Sequence, residues 1–131
     1  RGLGDVYKRQ DQFQWDLTSD LHLMMEAYLT QVTPEIVRFS LGLRAQEIYQ
    51  ETMPYIEKIP TAFIQTLEDY LIRMKSKKQV KIHDPKKSAE IIFSSMIGFA
   101  FLHAYSSSDQ YEKEVEIFIS DAIDQFINGL I

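Results

Sequence analysis

Apolar residues recur every three or four positions along most of the chain, and no stretch alternates between apolar and polar residues as a half-buried strand does. The first segment, residues 12–31, is a clear example. Its apolar stripe, which reaches one residue past its end, consists of Leu17, Leu21, Met24, Tyr28 and Val32. This spacing is typical of an amphipathic helix that buries one face. The pattern therefore predicts an all-α protein.

Residues that cap helices mark the boundaries between these segments. Threonine and aspartate side chains can accept hydrogen bonds from the free N–H groups of a helix start, and proline is tolerated at the first helical position. Thr33-Pro34 and Asp84-Pro85 have this arrangement. The stripes and boundaries together predict helices over 12–31, 34–50, 60–78, 85–105 and 109–129, with a turn or short helix at 52–58. We expect an antiparallel bundle of five or six helices.

The first ten residues, RGLGDVYKRQ, belong to none of these patterns and resemble a translated adapter sequence. They are not a signal peptide, because no apolar run follows Arg1. We therefore expect residues 1–10 to be non-native and residues 11–131 to form a single domain.

The last two predicted helices have more apolar surface than a small bundle can bury. Residues 91–105 contain no charged residue, and a helix that is apolar all round must be covered all round. The final helix has apolar residues on more than one face, and its acidic residues leave a narrow polar strip. Such uncovered apolar surface predicts an obligate dimer interface. The alternative is that the helix lies at the centre of a monomer. The expected interface residues are Gly98, Phe101, Leu102, Tyr105, Phe118, Ile119, Ala122 and Phe126.

Methionine and aromatic residues of several helices are candidates for the wall of an apolar ligand pocket. Methionine adapts to irregular cavities and tyrosine adds a polar group, although ordinary core packing predicts the same residues. The candidates are Met24, Tyr28, Phe39, Phe63, Tyr70, Met74, Phe93 and Met96, with Trp15 and Met25 in the wider set. Arg44 shares a helix line with Val37 and Leu41. If it is buried, it must be paired or must meet an anionic group.

Composition and motifs argue against several other functions. The net charge of −5 disfavours a nucleic-acid-binding surface, and the absence of cysteine excludes a thiolate zinc site. His22 and Glu26 lie four residues apart and form at most half of a metal site, so an exposed ion pair is favoured. His103 is expected to be a satisfied core or interface residue. With no GxSxG motif present, we predict no enzyme activity, no catalytic residue, no metal and no cofactor.

The run VKIHDPKKSAEIIFSSMIGFAFLHAY, followed by IFISDAIDQFINGL, resembles the C-terminal end of TetR-family transcriptional regulators. A basic helix end leads to an Asp-Pro start, then to an apolar helix with a glycine at its middle, Gly98. The final helix closes with Phe126, Gly129 and Leu130. The segment IEKIPTAFIQTLEDYLIRMKSKK also fits the family's order of helices.

This resemblance implies a homodimer joined by a four-helix bundle of the last two helices, and a small-molecule pocket within each subunit. It predicts that residues 11–131 are the ligand-binding and dimerisation domain of a bacterial-type repressor in the cytoplasm. The partners would be a second copy, a small apolar ligand and, only through an N-terminal helix-turn-helix domain that this sequence lacks, operator DNA. No membrane partner is expected. A helical-bundle interaction module without a small-molecule site is the alternative.

Overall fold

A computed structural model describes residues 12–44 and 58–130 of the chain, including the side chains of residues 12–42 and 60–128. The described residues form helices α1 (Leu17–Gln31), α2 (Pro34–Arg44), α3 (Lys58–Ser76), α4 (Pro85–Leu102) and α5 (Ser108–Leu130). No strand occurs in these ranges, and the predicted all-α fold is confirmed. The expected adapter segment, and residues 52–57 of the turn or short helix expected at 52–58, lie outside the described residues. None of the five helices is long and apolar enough to cross a membrane.

Side-chain caps define the helix starts that the sequence predicts. The Asp84 carboxylate accepts a hydrogen bond from the Lys87 N–H at 3.2 Å, and Pro85 occupies the first turn of α4. The Thr33 hydroxyl accepts one from the Ile36 N–H at 3.3 Å at the start of α2. Both predictions are confirmed because a cap depends only on residues within one turn of each other.

The first helix begins five residues later than predicted. Asp16 caps α1 by accepting the Ser19 N–H at 3.0 Å, and this interaction lowers the pKa of the Asp16 carboxyl. Trp15 has a φ of 59°, a left-handed conformation that interrupts a right-handed helix. The chain before Asp16 is therefore a separate segment. It packs Phe13 and Trp15 against Tyr70 of α3, with ring centroids 5.0 Å and 5.5 Å from the Tyr70 ring.

The bundle is built from two helix pairs, α3 packed against α4 and α1 packed against α5. Apolar side chains from these four helices meet in one core. Its largest fully buried residues are Leu21, Met24, Met25, Leu29, Phe63, Leu67, Leu71, Met74, Ile92, Met96 and Ile119. The shorter α2 packs on the end of α4 through Val37, which contacts Ala100 and Ala104. Arg38 holds the same end by donating a hydrogen bond to the Ala104 carbonyl.

A buried carboxylate ties the segment before α1 to the bundle. Asp20 is 1% exposed, and one of its oxygens accepts the Tyr70 hydroxyl at 2.6 Å. The other oxygen accepts the backbone N–H of Gln14 at 3.0 Å. A buried carboxylate without partners would be strongly destabilising, so these two bonds are needed at this position. Sequence patterns gave no signal for Asp20, because Tyr70 lies 50 residues away along the chain.

Candidate functional site

Most of the expected pocket residues lie together in the core. They are Met24, Tyr28, Phe63, Tyr70, Met74, Phe93 and Met96, each at most 7% exposed. At the centre, the ring centroid of Tyr28 lies 5.1 Å from that of Phe63 and 5.3 Å from that of Phe93. The Phe63 and Phe93 centroids are 5.6 Å apart. Rings from α1, α3 and α4 thus contact one another directly, in the arrangement of a packed core.

Two of the expected pocket residues are not part of this core. Phe39 is 66% exposed on α2, so its expected core-facing position is wrong. Val37 and Leu41 turn towards α4, and Phe39 lies two residues from each of them. Because successive residues in a helix are about 100° apart, that spacing directs Phe39 to the opposite side. Arg44 ends α2, and its side chain lies outside the described residues.

Three buried tyrosines hold the helices together as neutral hydrogen-bond donors or ring contacts. Burial raises the pKa of Tyr28 and Tyr70 well above the ordinary value, and the bond to Asp20 adds to the rise at Tyr70. Burial also raises the pKa of Tyr111 to about 12. The Tyr111 hydroxyl donates to the Val32 carbonyl at 2.9 Å, which joins the start of α5 to the end of α1. Phenols with such pKa values stay protonated near neutral pH.

The outer face of α4 is apolar and exposed. Ile91 is 64% exposed, Phe101 38% and Leu102 84%, and Tyr105, just beyond the helix, is 81% exposed. Three- and four-residue steps lead from Ile91 through Ser94 and Gly98 to Phe101 and Leu102, which places these residues on one side of the helix. Gly98 lies between them, and a methyl group at its Cα would meet no atom within 4 Å. We define the outer face of α4 as Ile91, Ser94, Gly98, Phe101 and Leu102.

The outer face of α5 is polar, which corrects the expected narrow polar strip. Ile117 is 56% exposed, but the other exposed residues along the helix are polar. We define this outer face as Lys113, Glu116, Ile117, Ser120, Asp121, Asp124 and Asn128. It is broad because the buried positions of α5 fall on a single line, at Tyr111, Val115, Ile119 and Ile123.

The expected interface residues therefore divide between two environments. Gly98, Phe101, Leu102 and Tyr105 are exposed. Ile119 is fully buried in the chain's own core, so its side chain is not available to a partner. Phe118, Ala122 and Phe126 are partly buried and pack against the same core. Phe118 also stacks on Phe99 of α4, with ring centroids 4.5 Å apart.

A groove of about 460 Å³ lies elsewhere, between the second half of α1, the turn into α2 and the start of α5. Its lining includes four glutamates, Glu26, Glu35, Glu112 and Glu116. Hydrogen bonds from the Glu35 backbone N–H and then from the Thr33 side chain lower the pKa of Glu35, which keeps that carboxylate ionised. The sequence predicted an apolar pocket with walls of methionine and aromatic residues, whereas this groove has four glutamates in its lining and includes α5.

His22 and His103 each lie close to polar groups of other residues. His22 Nδ1 lies 3.9 Å from a carboxylate oxygen of Glu26, in agreement with the expected helix ion pair. His22 Nε2 lies 3.6 Å from an oxygen of Glu116 on α5, a third member that the sequence analysis missed. His103 is half-buried, stacks on Phe99 with a centroid distance of 4.3 Å, and has Nδ1 3.0 Å from the Phe99 carbonyl oxygen. It is thus a satisfied residue near the end of α4.

No family model matches this chain, and no curated protein or solved structure is significantly similar to it. The resemblance to TetR-family regulators therefore remains a prediction. Its basis is the order of the helices and the residues at their boundaries.

Proposed function

We propose that this chain is a homodimerising regulatory domain and that two copies meet through the outer face of α4. The observation that supports this proposal most directly is the exposure of Ile91, Phe101 and Leu102 on one side of a single helix. Scattered exposed apolar residues are ordinary on a soluble protein, but several of them on one face of an uncharged segment indicate an interaction site. These three residues lie within residues 91–105, a stretch that has no charged residue.

A second copy is a suitable occupant of the outer face of α4. This face has no charge to be repelled by an identical surface, and Ser94 and Gly98 are small enough to let a second helix approach closely. Burying one exposed leucine side chain contributes about 1.5–3 kcal/mol, and a two-fold interface buries every contact residue twice.

The regulatory part of the proposal follows from the resemblance to TetR-family regulators. In the intact protein, this domain would hold two copies of a DNA-binding domain together and respond to a small apolar molecule. The methionines and aromatic rings of the core, including Met24, Met96 and Phe93, are the residues that such a ligand would meet. Because Tyr28, Phe63 and Phe93 contact one another, a ligand there would have to replace contacts between these rings.

The packed aromatic core favours a second candidate function, an interaction module that dimerises without a small-molecule site. Thermal unfolding in the presence of apolar acids, dyes and detergents distinguishes the two. A ligand present at a hundredfold excess over its dissociation constant adds about 2.7 kcal/mol to the free energy of unfolding. Stabilisation that Phe93→Ala abolishes supports the sensing domain, whereas an unchanged midpoint across the library supports the interaction module.

Dimerisation is tested by placing the same large cation on each outer face. Gly98→Arg introduces a charge at the centre of the outer face of α4, and Ser120→Arg introduces it on the outer face of α5. Gly98 has open space around its Cα and arginine favours helix more than glycine does, so the subunit should still fold. We expect sedimentation velocity to show dimers for the unmodified chain and for Ser120→Arg, and monomers for Gly98→Arg. An unmodified chain that is monomeric at micromolar concentration would refute the proposal.

A further inference from the structure

We propose that His22, Glu26 and Glu116 form a binding site for a divalent transition-metal ion such as Zn²⁺. The three residues come from two helices, α1 and α5, and each offers one ligand atom within 4.8 Å of the other two. The sequence alone shows only the pair on α1, because Glu116 lies 90 residues beyond Glu26. Three ligands are the number that proteins supply at catalytic zinc sites, where water completes the coordination.

The three ligand atoms lie within 4.8 Å of one another, somewhat farther apart than coordination requires. Ligand atoms at about 2.0–2.1 Å from a tetrahedral zinc ion lie about 3.3–3.4 Å from one another. The His22 ring lies 3.9 Å from a carboxylate oxygen of Glu26 and 3.6 Å from one of Glu116. The distance to Glu26 is from Nδ1 and the distance to Glu116 is from Nε2. Because a metal ion binds only one of these nitrogens, one carboxylate has to turn towards the nitrogen that binds the ion. The Glu116 side chain is 60% exposed, which leaves it room to turn.

The ligand set selects the class of metal. One imidazole nitrogen and two carboxylate oxygens suit zinc and similar first-row ions, whereas calcium and magnesium sites are built from oxygen ligands. Two carboxylates and a neutral imidazole carry a charge of −2, which a divalent ion offsets.

A bound ion would link α1 to α5 beside the turn into α2. Glu26 lies in the second half of α1 and Glu116 near the start of α5, and both line the groove beside the turn into α2. Coordination would fix the separation of α1 and α5 at this end of the bundle. This inference does not depend on dimerisation, because His22, Glu26 and Glu116 belong to one chain and lie away from the outer face of α4.

Calorimetric titration of the full chain with Zn²⁺ tests the site, with thermal unfolding in the presence of Zn²⁺ as a second measurement. We expect saturable binding of one ion per chain and a higher unfolding midpoint. His22→Ala and Glu116→Gln should each weaken Zn²⁺ binding about tenfold or more and remove the shift in the midpoint. Both residues are at the surface, so circular dichroism should show the helix content of the unmodified chain.

Two control variants separate a defined site from a diffuse acidic surface. Glu112→Gln removes a groove carboxylate one turn from Glu116, and His83→Ala removes an exposed histidine from the loop before α4. Both should bind Zn²⁺ as the unmodified chain does. Absence of saturable binding, retained affinity in His22→Ala, or equal losses in the two controls would overturn the proposal. Repeating the titration in Gly98→Arg distinguishes failure of this site from failure of the proposed dimer.

Discussion

Helices α4 and α5 have similar buried faces but opposite exposed ones. Met96 on α4 and Ile119 on α5 are both fully buried in the same core. On their outer sides, α4 has Leu102 at 84% exposure, whereas α5 has mainly charged and polar residues with Ile117 as the exception. Both helices are rich in apolar residues, so composition alone assigns surplus apolar surface to both. The structure assigns it to α4.

The difference between the exposed faces of α4 and α5 arises from the helices against which each one packs. The buried line of α5 packs on α1, while Phe118 on its flank reaches Phe99 of α4. Apart from Ile117, the described apolar residues of α5 are therefore used within the subunit. In α4, packing against α3 buries the side that includes Ile92 and Met96, and nothing in the described part of the chain covers Leu102. Additional apolar residues on a helix remain exposed only when the neighbouring helices of the same subunit do not cover them.

The largest expected effect tests the similarity of the two buried faces. Met96→Ala and Ile119→Ala should each lower the free energy of unfolding by about 2–5 kcal/mol, because each removes fully buried apolar atoms and leaves a cavity. Urea denaturation at a fixed protein concentration measures this loss. A loss of less than about 0.5 kcal/mol for Ile119→Ala, a value typical of surface positions, would show that Ile119 is not in the core.

A smaller effect tests the difference between the two exposed faces. Leu102→Ala should weaken dimerisation by about 2 kcal/mol for each subunit, because about three methylene equivalents are lost from the interface. Ile117→Ala, the matched change on the outer face of α5, should leave the dimer unchanged. Sedimentation equilibrium over a range of concentrations gives both dissociation constants. Equal weakening by the two variants would mean that both outer faces contribute to the interface.

The smallest effect concerns the attachment of α5 to α1 through Tyr111. Tyr111→Phe removes the hydrogen bond to the Val32 carbonyl and should cost about 0.5–1.5 kcal/mol near neutral pH. Urea denaturation measures this change. Tyr105→Phe, at the exposed tyrosine after α4, is the matched control and should leave the free energy of unfolding unchanged.

The same tyrosine should make stability depend on alkaline pH. Burial raises the pKa of Tyr111 from 10.0 to about 12, so below pH 10 the hydroxyl is neutral in both the folded and unfolded states. Between pH 10 and 12 the unfolded state loses its proton first, and the free energy of unfolding falls as the pH rises. Tyr28 and Tyr70 shift in the same direction, so Tyr111→Phe should reduce this slope without abolishing it. An identical slope in Tyr111→Phe would contradict the assignment.

Features that depend on neighbours along the chain could be predicted well from the sequence. The caps at Thr33 and Asp84 are confirmed because each acts over three residues. The buried stripe of α1 is confirmed because Leu21, Met24 and Tyr28 follow from the helical period. Phe39 is an instructive failure. Its aromatic side chain suits a core, but the direction of α2 was fixed by Val37, and the residue two positions later had to point away.

The sequence by itself thus determined the helical fold, most of the core and the chemical character of residues 91–105, because helical period and capping act within a few residues. Only the tertiary structure decided which groups from distant segments meet. It placed Tyr70 against the buried Asp20 and brought Glu116 beside His22. It also made the outer face of α5 polar and left that of α4 apolar. These outcomes depend on how helices rotate when they pack, and residue spacing within one helix does not fix the identity of its neighbour.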